Sequence, residues 1–386
     1  MDSEIISVEE IVMSEFDLLI QNANIVDGSG KPAYKGSIGV KSDKVVALGA
    51  VAGDAKEVID ASGLTAVPGF IDSHSHADGT ILFYPKCESY ILQGVTTFIG
   101  GQCGSSPAPL GDLIPLLGDA SEYIDELVSY KYYPDKSLFP RDQVNALMKE
   151  HFGWIVHWET MGNYFKVVEK KGISCNYAPL LGHRAVRSCV MGEDSKRNAT
   201  KTERAQMAGL IRQALDEGCV GMSVGLDYDS DVFAAREEIV EHVSILKDYP
   251  GAIFHPHSRR TGRRRDWAAG HRLHDKIDGI REVLDICRAT GVRMNIAHLF
   301  TGWYVNPQGY PHILEEANRR ATLMVIDEAL KEGLDISFDA IPNTLPVKFG
   351  GSSYLCATFV PWLRELGTRE KFAEWLKVQE LREEIK

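Results

Sequence analysis

Two histidines spaced by one residue close an apolar run near the start of the chain, in the segment PGFIDSHSH. Residues i and i+2 of a strand point to the same face, so His74 and His76 can direct their imidazoles at one ion. A lone His-x-His pair is about as often a pair of polar loop residues. The pair therefore predicts a metal site only if other ligand-type residues join it.

Further residues of metal-ligand type follow other strand-like runs. Cys103 lies in the turn GGQCGSS, where flanking glycines let the backbone pack closely, although a single such cysteine is more often an apolar core thiol. His255 and His257 end the run AIFHPH, and His298 ends RMNIAH. The carboxyl ends of barrel strands meet at one face, which carries the active site. The sequence therefore predicts one metal site assembled from several strand ends.

Strand-like runs alternate with helical segments over most of the chain. The runs are Ala66–Ile71, Val95–Gly100, Ile173–Leu181, Gly218–Val224, Ala252–His257, Arg293–Ala297 and Leu334–Asp339. Helical periodicity is clearest in residues 200–218 and 278–291, and both segments end in glycine. This alternation predicts a parallel sheet of the α/β class, and with the ligand residues it predicts a metal-dependent (β/α)8-type barrel with about seven strands present.

The chain divides into three regions by pattern. Residues 1–15 read as an acidic N-terminal extension, and residues 16–66 as a small β-sheet domain, because short β runs there alternate with Gly and Asp turns. We expect that small sheet to be antiparallel. Residues 67–386 are predicted to form an incomplete barrel.

Composition narrows the class of protein. The chain has 386 residues, a formal net charge of −12 and seven cysteines without a Cys-x-x-Cys pair. The negative charge argues against general nucleic-acid binding, and scattered cysteines in odd number are typical of reduced thiols in the cytoplasm. No run approaches the roughly 18 apolar residues that span a membrane, and the N-terminus has no apolar signal-peptide core. We therefore predict a cytoplasmic protein with neither nucleic acid nor membrane as partner.

Several motifs in order resemble the amidohydrolase superfamily and, within it, the D-aminoacylase (N-acyl-D-amino-acid deacylase) family. They are PGFIDSHSH, GVTTFIGGQCGSSPAP, LLGHRAVR, ALDEGCVGMSVGLDY, FHPHSRRTG, NIAHL and FDAIPNT. The resemblance implies the metal ligands His74, His76, Cys103, His257 and His298. His257 is preferred to His255 because the family motif His-x-Arg is matched by His257 and Arg259. A thiolate among imidazoles favours zinc, and the resemblance implies one tightly held Zn²⁺ with a weaker second position.

The resemblance also implies hydrolysis of an amide by a zinc-activated water. A general base must take the proton of that water, and in the superfamily this base is an Asp that ends an eighth strand. The sequence has seven strand-like runs, so Asp339, at the end of the seventh, is the nearest candidate base. His183 is a second catalytic candidate because it can orient the scissile carbonyl; its alternative role is to brace the loop.

Seven strands would leave an open barrel edge. We predict, in preference to a truncated and inactive chain, a second subunit that supplies the last strand and the catalytic Asp. The predicted function is that of one part of a hetero-oligomeric zinc-dependent hydrolase of C–N bonds other than peptide bonds. The alternative is a catalytically incomplete regulatory or structural subunit that retains a metal site. The intact set of five ligand positions favours the enzyme.

Candidate substrate-binding residues point to a change of substrate. The resemblance implies a Lys and a Tyr as anchors for a substrate carboxylate, and this sequence has Phe300 and Asn343 there. Loss of the cation removes a charge-assisted hydrogen bond of about 1.5–3 kcal/mol. We expect an uncharged or aromatic small molecule, such as an amide, a lactam, a cyclic ureide or a carbamate. Further candidates, each with a structural alternative, are Arg187, Tyr228 and Arg259.

Overall fold

The computed structural model describes residues 15–115, 138–228, 230–259, 275–299, 312–341, 371 and 374–380. The chain divides into two compact units, of which the first ends at Phe70 and the second begins at Ile71. The sequence places the boundary four residues earlier, between residues 66 and 67. The predicted acidic extension lies outside the described residues except for Glu15.

The first unit is a small sheet of five strands in the order β3-β2-β1-β4, with β5 also paired to β1. Its strands are β1 (Phe16–Ile25), β2 (Tyr34–Lys41), β3 (Lys44–Gly49), β4 (Ala55–Asp60) and β5 (Thr65–Ala66). The expectation of an antiparallel sheet is wrong in part, because β4 and β5 run parallel to β1. The chain between β3 and β4 crosses to the far side of β1, which makes the sheet mixed. The sheet buries Ala23, Ile25 and Ala61.

The second unit contains the barrel strands, apart from Phe70, the first residue of β6. They are β6 (Phe70–Asp72), β7 (Val95–Gly100), β10 (Asn176–Pro179), β11 (Leu181–Gly182), β12 (Gly221–Gly225), β13 (Ile253–His257), β14 (Met294–Ile296) and β15 (Ile336–Phe338). A separate antiparallel pair is formed by β8 (Leu113–Ile114) and β9 (Phe139–Pro140). The strands follow one another in the orders β10-β7-β6 and β11-β12-β13-β14-β15, and the pairings of β7 with β10 and from β11 to β15 are parallel.

Helices separate these strands along the chain. They are α1 (Glu88–Ile91), α2 (Arg141–Phe152), α3 (Met161–Lys171), α4 (His183–Met191), α5 (Lys201–Asp216), α6 (Arg236–Ser244), α7 (Asp275–Thr290) and α8 (His312–Lys331). Thr200 begins α5 with a capping box that includes Glu203, as its sequence favours. The α/β barrel fold with a small N-terminal sheet is therefore confirmed. Among the described residues, no helix combines the length and the apolar character needed to cross a membrane.

Two predicted strands are divided in the structure. Residues 66–71 contain Pro68, whose missing N–H cannot join a ladder; the chain before it pairs with β1 as β5, and the chain after it begins β6. The run from Ile173 to Leu181 is interrupted at Leu180, whose N–H donates to the carbonyl of Gly100. This division lets β10 pair with β7 while β11 pairs with β12.

Candidate metal centre

Five side chains of metal-ligand type meet where the barrel strands end. His74 and His76 follow β6, Cys103 follows β7, His257 ends β13, and His298 follows β14. Their candidate ligand atoms form two groups that share Cys103, and the atoms of each group lie within 4.8 Å of one another. One group adds His74 and His76 to the thiol, and the other adds His257 and His298. The structure thus brings together all five positions that the sequence singles out.

The distances from the Cys103 sulfur to two imidazole nitrogens fit a zinc ion. Cys103 Sγ lies 3.5 Å from His74 Nε2 and 3.4 Å from His298 Nε2. His298 Nε2 in turn lies 3.0 Å from His257 Nδ1. Tetrahedral zinc has bonds of about 2.3 Å to sulfur and about 2.0–2.1 Å to nitrogen, which sets neighbouring ligand atoms about 3.3–3.6 Å apart. The two sulfur–nitrogen distances fall in this range and the nitrogen–nitrogen distance lies below it. The donor set suits Zn²⁺ in chemical type.

Cys103 has the environment of a ligand thiol. It is 4% exposed, and its φ of 53° is in the left-handed region, which is disfavoured for any residue with a Cβ. Burial alone would raise the pKa of this thiol, but the hydrogen bonds with His257 and His298, and then with His74 and His76, hold the pKa well below its usual range. The thiolate is the form that binds metals. The surrounding imidazoles therefore favour the deprotonated form of Cys103, which can bind a metal ion.

His74 is held on both ring nitrogens. Its Nε2 faces Cys103, and its Nδ1 lies 3.2 Å from Asp339 Oδ1. Burial would lower the pKa of His74, but the hydrogen bond to Asp339 and the contact with Cys103 raise it to about 9. An imidazole whose second nitrogen donates to a carboxylate is the usual arrangement of a metal-binding histidine.

Asp339 accepts hydrogen bonds from several donors. His255 Nε2 donates over 2.7 Å and Asn295 Nδ2 over 2.9 Å to its Oδ2, and the backbone N–H of His298 donates to its Oδ1. Burial would raise the pKa of Asp339, but the bonds from His255 and His74 hold it well below the usual range. A general base works best with a pKa near the operating pH. This geometry favours an orienting role for Asp339 over the predicted role as base.

The two histidines of β13 have different surroundings. His257 reaches the thiol group, and its Nε2 lies 3.3 Å from Asp227 Oδ2. His255 lies two residues earlier on the same strand and bonds to Asp339 instead. A metal on His257 Nδ1 therefore leaves Nε2 to donate to the Asp227 carboxylate, which fixes the tautomer and the ring orientation.

The substrate-binding candidates separate in the structure. The ring of Tyr228 stands edge-on to that of His257, with 4.6 Å between the centroids, so it lies against the metal centre. Arg259 pairs with Glu282 over 3.1 Å and donates to two backbone carbonyls, an arrangement that braces the chain. Two candidates lie outside the described residues: Phe300 and Asn343.

His183 and Arg187 lie in a closed network of α4 and have no exposed surface. His183 Nδ1 lies 2.8 Å from Asp231 Oδ1, and Arg187 pairs with Glu238. A side chain without accessible surface cannot contact a substrate in this conformation. The geometry therefore favours the alternative for both residues, which is to brace the loop.

Donors and acceptors in this network follow one consistent order. His242 Nε2 donates to the carbonyl of Arg204 over 3.1 Å, and burial lowers the pKa of His242 to about 3. His242 is therefore neutral, and its Nδ1 accepts from His183 Nε2 over 2.8 Å. His183, His242 and Glu238 also have the spacing of a metal site. However, the Arg187 cation already pairs with Glu238, so these residues form an ion-pair network.

Three residues at the centre are absent from the sequence predictions. Asp227 bonds to His257, and Asn295 bonds to Asp339. Ser223, on β12, bonds to the turn that carries Cys103. For Asp227 a signal existed, since it directly precedes Tyr228 in the motif GLDYDS. The roles of the other two depend on which strands become neighbours.

Comparisons with known proteins agree with this geometry. Residues 57–247 match the model of the amidohydrolase family. N-acyl-D-aspartate deacylase of Alcaligenes xylosoxydans xylosoxydans is 34% identical over 247 residues, 64% of this chain and 44% of the relative. D-aminoacylase of the same organism is 30% identical over 328 residues, 85% of this chain and 57% of the relative.

A solved structure shares the fold. N-acyl-D-glutamate deacylase from Bordetella bronchiseptica, complexed with zinc and a phosphonate inhibitor, superposes with a TM-score of 0.63 at 27% identity. The match covers 85% of this chain and 59% of that chain. This chain thus spans about half the length of the relatives it matches. Residues 57–247 carry an amidohydrolase domain, and the chain is similar to D-aminoacylases over 85% of its length.

Proposed function

We propose that this chain forms the zinc centre of a hydrolase that cleaves a C–N bond other than a peptide bond. One observation carries the proposal: a buried cysteine sulfur and the imidazoles of separate strands converge, with 3.0–3.5 Å between neighbouring atoms, at the carboxyl end of the barrel. That is where barrel enzymes hold their chemistry. The similarity to D-aminoacylases supports the same reaction class.

The proposed ligands of a tightly bound zinc ion are Cys103, His257 and His298. His74 and His76 either complete the coordination of that ion or bind a second, weaker ion. When bound, zinc supplies a Lewis acid for the carbonyl and lowers the pKa of water towards neutrality. The chain's own carboxylates orient the imidazoles: Asp227 acts on His257 and Asp339 acts on His74. Tyr228, beside His257, is placed to exclude water and to contact the substrate.

Asp339→Asn separates the two roles proposed for this carboxylate. As an orienting residue, its loss is expected to weaken zinc binding about 10- to 100-fold, because the neutral amide is a weaker acceptor than the carboxylate for the hydrogen bond from His74 Nδ1, while saturating zinc restores most of the activity. Competition with a chromophoric chelator measures the affinity. As a general base, its loss would leave zinc affinity unchanged and lower kcat at every zinc concentration. Asp335→Asn, at an exposed surface ion pair, is the control.

The substrate is proposed to be uncharged at the position where the relatives bind a carboxylate. The residues that support this are Phe300 and Asn343, in place of the implied Lys and Tyr. Absence of one charge-assisted bond of about 1.5–3 kcal/mol corresponds to about 10- to 150-fold in kcat/KM. Neutral lactams, cyclic ureides and carbamates are therefore expected to be better substrates than N-acyl-D-amino acids.

Metal removal tests the proposed function directly. Dialysis against a chelator is expected to abolish hydrolysis of the preferred amide, and added Zn²⁺ is expected to restore it, because the water and the carbonyl both depend on the ion. Phe300→Lys is the matched variant for substrate choice and should raise kcat/KM for N-acyl-D-amino acids alone. Hydrolysis that survives chelation would contradict the proposal. Zinc binding without hydrolysis of any amide would favour the regulatory alternative.

A second subunit stays a prediction. Native mass spectrometry of the protein purified from its source is expected to find a second polypeptide bound to the chain. A homogeneous species with one type of polypeptide would contradict this prediction.

The protein is proposed to be cytoplasmic. The free thiols of all six described cysteines agree with this location.

A further inference from the structure

The turn that carries Cys103 has an unusual backbone. Gly101, Cys103 and Gly104 have φ values of 73°, 53° and 75°. Glycine adopts the left-handed region freely, but cysteine does so at a cost. A non-glycine residue persists there only when the surrounding structure over-determines its conformation. The neighbours of this turn must therefore hold it.

Ser223 joins the two sides of the turn with a single hydroxyl. It lies on β12, has no exposed surface, and donates to the carbonyl of Gly101. The same oxygen accepts from the backbone N–H of Gly104 over 2.9 Å. One bonded group lies before Cys103 and the other directly after it, so the hydroxyl closes the turn around the cysteine.

Close backbone packing fixes the turn from its other sides. A Cβ added at Gly101 would lie 1.8 Å from the carbonyl oxygen of Leu180, and a Cβ added at Gly225 would lie 2.2 Å from that of Cys103. The backbone N–H of Ala185, in the first turn of α4, donates to the carbonyl of Gly104 over 3.3 Å. Asp78 Oδ2 also accepts from the backbone N–H of Gly101 over 3.0 Å, on the side of the turn before Cys103. The Ser223 hydroxyl is the side-chain contact described here that spans both sides of Cys103, and a substitution removes it without filling or emptying much space.

We infer that Ser223 is a positioning residue: its hydroxyl holds Cys103 in the left-handed conformation that aims the thiolate at the imidazoles before any metal arrives. The inference rests on the proposed function to the extent that Cys103 is a zinc ligand. A purely structural reading of Ser223, as a satisfied core hydroxyl, predicts lower stability of the whole protein with an unchanged metal site.

Ser223→Ala tests the inference against a matched control. Thr290, also buried, donates its hydroxyl to the carbonyl of Ile286 over 2.8 Å and accepts from the N–H of Val292 over 3.4 Å. Thr290→Val thus removes an equivalent pair of hydrogen bonds at the end of α7. We expect Ser223→Ala to weaken zinc binding about 10- to 100-fold, the size of a supporting-residue effect. The thiolate-to-metal absorption band of the cobalt-loaded protein should also shift. Thr290→Val should leave both unchanged.

A second readout needs no metal. In zinc-free protein, alkylation of Cys103 by iodoacetamide, followed site by site with mass spectrometry, is expected to be about fivefold or more faster in Ser223→Ala, since a loosened turn opens locally. The Thr290→Val protein should react like the wild type. Equal zinc affinity and equal alkylation in Ser223→Ala and the wild type would overturn the inference. Absence of zinc binding by the wild type would instead count against the proposed function, and the alkylation result would still decide the role of Ser223.

Hydrogen exchange on the wild type covers the case in which Ser223→Ala does not fold. The backbone amide of Gly104 is expected to exchange slowly in zinc-free protein, because it already donates a hydrogen bond to the Ser223 hydroxyl. Fast exchange that becomes slow only after zinc is added would show that the metal forms the turn, and would overturn the inference.

Discussion

Replacement of Cys103 by alanine is expected to weaken zinc binding about 100- to 1,000-fold. A structural zinc site with four ligands has an apparent affinity of about 10–16 kcal/mol, which is about 2.5–4 kcal/mol for each ligand. The thiolate is common to both groups of ligand atoms, so its loss leaves each group with imidazoles alone. Hydrolysis at limiting zinc should fall in parallel. Titration of metal-free protein with zinc against a chelator of known affinity gives the change directly.

Cys287→Ala is the matched control for this change. Cys287 is also a buried thiol, 2% exposed, but its Sγ contacts the carbonyl of Val292 at the end of α7. Cys287→Ala should lower the free energy of unfolding, as any truncation of a core side chain does. Its zinc affinity should equal that of the wild type. If both variants bind zinc as the wild type does, the assignment of Cys103 as a ligand is wrong.

Replacement of Arg187 by methionine is expected to destabilise the protein by about 3–5 kcal/mol, the usual cost of removing one partner of a buried ion pair. Arg187 and Glu238 are both fully buried, so the variant leaves the Glu238 carboxylate without its cation in the interior. Methionine keeps most of the volume of the side chain, which limits the contribution of a cavity. Urea denaturation followed by circular dichroism measures the loss.

An exposed ion pair of similar length provides the comparison. Arg293 Nε lies 2.7 Å from Asp335 Oδ2, and the two side chains are 60% and 65% exposed. Arg293→Met should change the free energy of unfolding by less than about 1 kcal/mol, since surface pairs contribute little. A loss of similar size in the two variants would contradict the view that burial makes the Arg187 pair critical.

Strand periodicity and ligand spacing predict much of this molecule. The alternation of β runs and helices is enough to place His74, Cys103 and His257 at one face, because parallel strands share the direction of their carboxyl ends. Neither element order nor side-chain type depends on details of packing. For this reason the seven strand-like runs and the convergence of the five ligand positions follow from the sequence, although one of the runs divides into β10 and β11 in the structure.

Other features depend on contacts between segments far apart in the chain. Ser223 bonds to Gly104 across 119 positions, and only the pairing of neighbouring strands brings them together. The sequence predicts that His183 and Arg187 line a pocket, because their motif follows a strand. In the structure, their side chains instead bond to the buried carboxylates of Asp231 and Glu238. The small sheet combines parallel and antiparallel pairs because the chain crosses β1 between β3 and β4. Local turn signals do not specify where this crossing occurs.

The wide separation of the ligands along the chain has a consequence for the order of assembly. Cys103 and His298 are 195 positions apart, and His74 and Asp339 are 265 positions apart. Closing loops of that length precedes any gain from the contacts they bring, so a nascent or partly folded chain has no complete site to offer an ion. Uptake of metal is therefore expected as a late event, and the first appearance of tightly held zinc during refolding should coincide with the docking of β14 and β15, well after the local helices have formed.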